Sequence, residues 1–310
     1  MDDLKISVVI PVFNRAAVIG QCLDSITGQT YPPAEILVID DGSTDATVET
    51  VQNCPDPRVR LIRQDCNRGA QAARNRGIRE AKSDWIAFQD SDDRWCADKL
   101  QRQVRTLSSS AENHSVVVHG DYCRLQELTG ERGIIRIATT EGNCYTTLLQ
   151  RQGPMFQGML TSRKALQEIN YLDEAAISYQ EWDTAIRLAK ICKFIHITEP
   201  LFEYRLHGAG AISKDPWRNI AGYHYIILKH RDDIIRHCGV EAFKQHLLFQ
   251  YRKMLEFEIH KTIRADSKEY TAILNMIFSY CSQELLSAFE PPFADCLQML
   301  LKKIKRKVLS

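Results

Sequence analysis

Short apolar runs and polar breaks alternate through the first hundred residues. Ile6-Ser7-Val8-Val9-Ile10, Ile36-Leu37-Val38-Ile39, Val59-Arg60-Leu61-Ile62 and Trp85-Ile86-Ala87-Phe88 have no helical period and end in polar turns. They read as strands, the more continuous runs as strands buried on both faces. From about Ala16 to Gln29, Val18, Ile19, Cys22, Leu23 and Ile26 recur at helical spacing, which predicts an amphipathic helix. Helices are also expected after Thr44, to about Asn53, and from about Ala70 to Lys82. Strand and helix in regular alternation predict an α/β fold, a Rossmann-like, mostly parallel sheet flanked by helices.

Three of the four strands run into polar loops at one sheet edge: Pro11-Val12-Phe13-Asn14-Arg15, Asp40-Asp41-Gly42 and Asp90-Ser91-Asp92-Asp93. In open α/β sheets ligands bind beyond the carboxyl ends of the strands. A nucleotide accounts for the three loops together: Phe13 can face a base, Asp41 can accept an N–H from a pyrimidine edge, and a metal at Asp92 can bridge two phosphates. Taken alone, Asp90-Ser91-Asp92-Asp93 is also explained as a solvated acidic loop with a helix N-cap.

The stretches SVVIPVFNR, ILVIDDGSTDAT, NRGAQAARNRGI and WIAFQDSDD, in this order, resemble the family 2 glycosyltransferases of GT-A fold over roughly residues 5 to 105. The resemblance implies a nucleotide-diphosphate-sugar donor and a divalent cation, Mn²⁺ or Mg²⁺. Pro11 to Arg15, with Asp40 and Asp41, would hold the base. Gly69 of the N-x-G turn and Arg74 in the next helix would lie near the base or phosphates. Asp92 would contact the metal, and Asp90, with Ser91 beside it, would sit close to the ribose or a metal-bound water. The alternative for Arg74 is a surface arginine beside Arg76 and Arg79.

Further on, Gln180-Glu181-Trp182-Asp183 opens an apolar helix. Carboxylates there suit the helix dipole, but the segment is also similar to the family's acidic pair before Trp-Asp. That similarity makes Glu181 the expected general base and Asp183 the alternative, although Gln180 departs from the commoner Glu-Asp. Tyr204-Arg205-Leu206-His207 is similar to the Tyr-Arg-x-His segment near the end of the family's catalytic domain, which places His207 near the metal or diphosphate.

The expected division is a catalytic domain over 1–214, with a nucleotide-sugar half to about 105 and an acceptor half after it, then a helical C-terminal extension over 215–310. The tail Phe293–Leu309 aligns Phe293, Leu297, Leu300, Leu301, Ile304 and Val308 on one face with five basic residues around it. It reads either as a helix lying on an anionic membrane surface or as a packed terminal helix. The extension also offers a surface for a homo-oligomer.

Composition narrows the function classes. The 310 residues carry 40 basic and 39 acidic side chains, a net charge of +1, which gives no field for nucleic acid. No run approaches a membrane span, and Met1-Asp2-Asp3 lacks a basic leader, so a cytoplasmic location is expected, with or without peripheral membrane contact. The ten cysteines form no CxxC, so free thiols are expected. The absence of G-x-G-x-x-G and G-x-x-x-x-G-K speaks against a dinucleotide oxidoreductase and a P-loop enzyme. The reading is therefore an inverting, metal-assisted transfer to a hydroxyl of a saccharide or lipid-linked saccharide in surface polysaccharide assembly. Its rivals are a non-catalytic nucleotide-sugar binder and a sugar-phosphate nucleotidyltransferase.

Overall fold

The computed structural model describes residues 4–110, 115–137, 140–206, 216–247, 249, 250 and 253. The chain divides into two compact units, Met1–Leu248 and Phe249–Ser310. His207 and the tail Phe293–Leu309 lie outside the described residues. Helices of residues 216–247, expected to begin the extension, belong to the first unit.

The first half follows the expected alternation: β1 Ile6–Val12, α1 Ile19–Thr27, β2 Glu35–Asp40, α2 Thr47–Gln52, β3 Val59–Arg63, α3 Ala70–Glu80 and β4 Trp85–Phe88. These strands lie parallel in the order β3-β2-β1-β4. Every residue of β1, β2 and β4 is buried, as the unbroken apolar runs require. β1 continues through Pro11 rather than closing before it, pairing Pro11 with Ile39 on β2. Pairing with β4 stops at Val9 opposite Phe88, so the missing Pro11 N–H falls where β4 has already ended. Helix α3 sits very close to β1: a Cβ on Gly77 would lie 2.4 Å from Val9 Cγ1.

The second half is β5 Arg94–Trp95, α4 Lys99–Ser109, β6 Val116–Gln126, β7 Glu131–Ile135, α5 Tyr145–Gln150, a 3₁₀ turn Phe156–Gly158, β8 Leu160–Ser162, α6 Arg163–Glu168, α7 Gln180–Leu188, β9 Lys193–Leu206, α8 Pro216–Lys229 and α9 Arg231–Cys238, followed by a helical run over 240–247. The sheet reads β3-β2-β1-β4-β8-β6-β9-β5, with β7 on β6. Beyond β4 it is mixed, because the three-residue β8 runs antiparallel to both its neighbours, β4 and β6. β6 bulges between Gly120 and Tyr122. Gly120 is required there, since a Cβ would come within 2.6 Å of Leu201 Cδ1. The edge strand β7 is exposed along most of its length. The cysteines among the described residues are free, and no described helix is long and apolar enough to cross a membrane.

Candidate active site

The loops after β1 and β2 are tied to each other by their own hydrogen bonds. Asn14 has φ 51°, a left-handed conformation that asparagine tolerates. Its N–H donates to Ser43 Oγ at 2.9 Å, and its Oδ1 accepts from the Thr44 N–H at 2.8 Å. The Arg15 N–H donates to Thr47 Oγ1 at 2.7 Å. Buried Asp40 accepts from the Ser43 N–H at 3.2 Å. Phe13 stands beside this frame, 40 % exposed.

Asp41, expected at the base, holds the N-x-G turn. Its carboxylate accepts from the backbone N–H groups of Arg68 and Gly69, both at 2.8 Å, and from Gln64 Nε2 at 2.6 Å. Three of its roughly four acceptor positions are thus used within the chain. Gly69 is needed at φ 90° to let the turn enter α3.

Arg74 is no surface arginine. It is 4 % exposed, bonds Asp90 Oδ1 at 2.5 Å and Gln71 Oε1 at 2.8 Å, and lies over the Phe156 ring at 4.6 Å. Gln157 Nε2 donates one N–H to Asp90 Oδ2 at 2.7 Å and the other to Asp93 Oδ2 at 2.6 Å. Asp93 also accepts the Arg205 N–H at 2.9 Å. Burial, then the neighbouring charges of Asp90 and Asp92, push the Asp93 carboxyl well above its usual range. Asp92 and Asp90 are exposed to the same degree, 30 % and 31 % at the side chain, and Asp92 lies 3.7 Å from Arg15 Nε; Ser91 between the two aspartates is buried.

Helix α7 brings Glu181 to this cluster and turns Asp183 away from it, as positions two apart on a helix must be. Glu181 is half-buried. Burial raises its pKa and Asp90 adds to the rise, against the pull of its own backbone N–H and of Arg74. Asp183 is fully buried and bonded by Arg187 Nε at 2.8 Å, Lys229 Nζ at 2.7 Å and His230 Nε2 at 2.8 Å. Burial alone would push its carboxyl up, but these three partners outweigh it and hold it far below the usual range. Both of its oxygens are thus engaged within the chain.

Among the described residues no three His, Cys, Asp or Glu side chains gather as a metal cage. Mg²⁺ and similar hard cations need only one or two carboxylates when phosphates and waters complete the shell. Asp92 fits that minimal role. Asp90 does so less directly, because Arg74 and Gln157 already engage both its oxygens.

Sequence reasoning missed Gln157, Phe156, the Arg205 backbone N–H and Tyr122. The Tyr122 ring stacks on Phe202 at 5.1 Å, within electrostatic reach of Asp93 and Glu181. All four join the cluster through contacts remote in sequence. Only Arg205 had a local signal, since it lies in the Tyr-Arg-x-His segment.

The family described as Glycosyl transferase family 2 matches residues 7–169, which includes the whole carboxylate cluster but not Glu181. A curated relative from Escherichia coli, "UDP-Glc:alpha-D-GlcNAc-diphosphoundecaprenol beta-1,3-glucosyltransferase WfgD", is 33% identical over 49% of this chain and 58% of its own length. The chain spans 65% and 35% of the length of the first two curated relatives it matches. Among solved structures, S. aureus TarS 1-349 in complex with UDP-GlcNAc superposes with TM-score 0.66 at 17% identity, over 90% of this chain and 81% of TarS. The mannosyltransferase PcManGT from Pyrobaculum calidifontis in complex with GDP-Man and Mn²⁺ has TM-score 0.59 at 18% identity, over 90% and 81%. The fold is thus that of known GT-A glycosyltransferases. With more than half of its residues matched by the family, the chain belongs to glycosyl transferase family 2.

Proposed function

We propose that this chain transfers a sugar from a nucleotide-diphosphate donor, a UDP-sugar by preference, to a hydroxyl of a saccharide or lipid-linked saccharide, with inversion, in surface polysaccharide assembly at the cytoplasmic face of the membrane. The observation that carries the reading is Glu181, a half-buried carboxyl of raised pKa at the rim of the Asp90–Asp93 cluster. Enzymes place a general base in such a setting, where burial and like charge raise its affinity for a proton. The lipid diphosphate in the relative's name supports the acceptor class, and the UDP-GlcNAc and GDP-Man complexes of its structural neighbours support the donor class.

In this reading Phe13 stacks on the base and the locked 14–15 and 43–47 loops fix its edge. Arg74 and Gln157 hold Asp90, which leaves Asp92 facing the donor's phosphates. A divalent cation held by Asp92, when bound, supplies Lewis-acid stabilisation of the leaving diphosphate. Glu181 takes the proton from the acceptor hydroxyl as its oxygen attacks the anomeric carbon, and the bond from that carbon to the diphosphate oxygen breaks. One displacement inverts the centre.

The test is binding and turnover of UDP-glucose, UDP-GlcNAc and GDP-mannose, with and without Mn²⁺ or Mg²⁺, using GlcNAc-diphosphoundecaprenol as acceptor. Selective, cation-dependent binding that Asp92→Ala abolishes, with turnover that Glu181→Gln lowers by about 10²–10⁴-fold, is the expected result. Donor binding without any turnover would favour the non-catalytic binder, and no binding at all would overturn both readings.

A further inference from the structure

The residue that launches α7 is in an unusual state. Tyr179 has φ 54° and ψ 32°, the left-handed region that a bulky aromatic rarely adopts and that concentrates at functional sites. Its carbonyl accepts the first bonds of the helix, from the N–H groups of Trp182 and Asp183 at 3.1 and 3.2 Å. The conformation of residue 179 therefore sets the direction in which the first turn, with Glu181 on it, leaves the loop.

Something must hold Tyr179 there, and the holder is α8. Arg218 Nε donates to the Ile177 carbonyl at 2.9 Å. Ser178 Oγ donates to Asn219 Oδ1 at 2.8 Å. At Gly222 the helix approaches so closely that a Cβ would lie 2.5 Å from Ser178 Cβ. One turn of α8 thus holds residues 177 and 178 by side-chain bonds and direct backbone approach.

Tyr223 then meets Tyr179 edge-to-face, with centroids 5.3 Å apart, and lies against Trp182 at 5.2 Å. Tyr223 is itself pinned. Its hydroxyl bonds His246 Nδ1 at 2.7 Å, while His246 Nε2 meets the Leu149 carbonyl at 2.8 Å. A carbonyl only accepts, so Nε2 carries the proton and Nδ1 accepts from Tyr223. The chain of contacts runs from α5, through His246 and Tyr223, to the strained residue.

We infer that Tyr179 and Tyr223 are positioning residues: α8 clamps the 177–179 loop in its left-handed turn so that the first turn of α7 presents Glu181 to the Asp90–Asp92 edge. The clamp comes from residues 218–223 and 246, all beyond the 7–169 segment that the family matches. The inference rests on Glu181 being the base, and the test separates the two.

Turnover, donor affinity and the pH profile of kcat are measured for Tyr179→Gly, Tyr179→Phe, Glu181→Gln and the double variant Tyr179→Gly with Glu181→Gln. Nucleotide release is read from whichever donor the panel above selects. Glycine accepts the positive φ but removes the ring that the clamp holds. The expected result is a kcat lowered by about ten-fold or more, a displaced acid limb and an unchanged donor Kd. Tyr179→Phe should restore kcat, because the contact with Tyr223 is made by the ring. In the Glu181→Gln background Tyr179→Gly should cost nothing further, since it acts only through Glu181. Equal losses in both backgrounds would overturn the positioning role while leaving the base intact. An undiminished kcat in Glu181→Gln alone would instead overturn the base. Should Tyr179→Gly not fold, Tyr223→Leu is read by the same criteria.

Discussion

Replacing Asp183 by asparagine separates architecture from chemistry at the start of α7. The side chain is fully buried and is met by Arg187, Lys229 and His230 at 2.7 to 2.8 Å. Asparagine keeps the shape, loses the charge and turns one acceptor into a donor, so at least one cation is left facing an N–H. Removing one partner of a buried ion pair costs about 3–5 kcal/mol. Lys229 is partly exposed and regains some hydration, so the lower end of that range is expected. For a unit of this size each kcal/mol lowers Tm by about 2–4 °C, so a fall of roughly 6–12 °C should follow. Urea unfolding at neutral pH is the assay, with the midpoint shifted and the slope unchanged. Because the folded carboxyl titrates below its unfolded value, its contribution is fully present above about pH 4 and fades as pH falls toward the folded value. Wild type and variant should therefore converge in stability under acid. Donor affinity and residual turnover in the folded variant should stay near wild type. Wild-type stability combined with lost turnover would refute this account and make Asp183 the base.

Three further expectations follow from the same geometry. Because Glu181 must be ionised to accept a proton and its pKa is raised, kcat should rise with pH through an inflection above the ordinary carboxylate value. Glu181→Gln should abolish that limb and lower kcat by about 10²–10⁴; an unchanged profile would exclude this residue. Gln157→Leu removes two bonds to carboxylates, each worth about 1.5–3 kcal/mol. It should weaken both folding and donor binding, and a calorimetric donor titration matching wild type would show the bridge to be dispensable. Gly77→Ala forces a methyl to within 2.4 Å of Val9 Cγ1 and should destabilise by about 1–3 kcal/mol. Equal melting temperatures for variant and wild type would mean that α3 can lift from β1 without cost.

The parallel half of the sheet was legible because its strands are continuous apolar runs and its helices keep their period, both local signals. Its edge loops were legible as a polar cluster, but their division of labour was not. Asp41 and Asp92 look alike in sequence, yet one folds a turn from within while the other faces outward. Arg74 shows the same limit: on a helix rich in arginines, only the Asp90 and Phe156 contacts reveal it as buried. Gln157 had no pattern to betray it, since its partners lie more than sixty residues away. Glu181 and Asp183 could not be told apart for a related reason. Acidic residues in a helix's first turn suit the dipole whichever way they face, and what separates the two carboxylates is α8 and His230, elements that carry no motif. The mixed half of the sheet was hardest, because a three-residue strand such as β8 is too short to show any period.

The ties that bind Asn14 to Ser43 and Thr44, and Arg15 to Thr47, bear on how the protein meets a ligand. The two loops are joined to each other by the protein's own hydrogen bonds. A ligand entering beside Phe13 has little main chain left to order, so it gives up less of its binding energy to freezing the receptor. Discrimination at that end comes from a fixed outline rather than from a surface that moulds itself to each visitor.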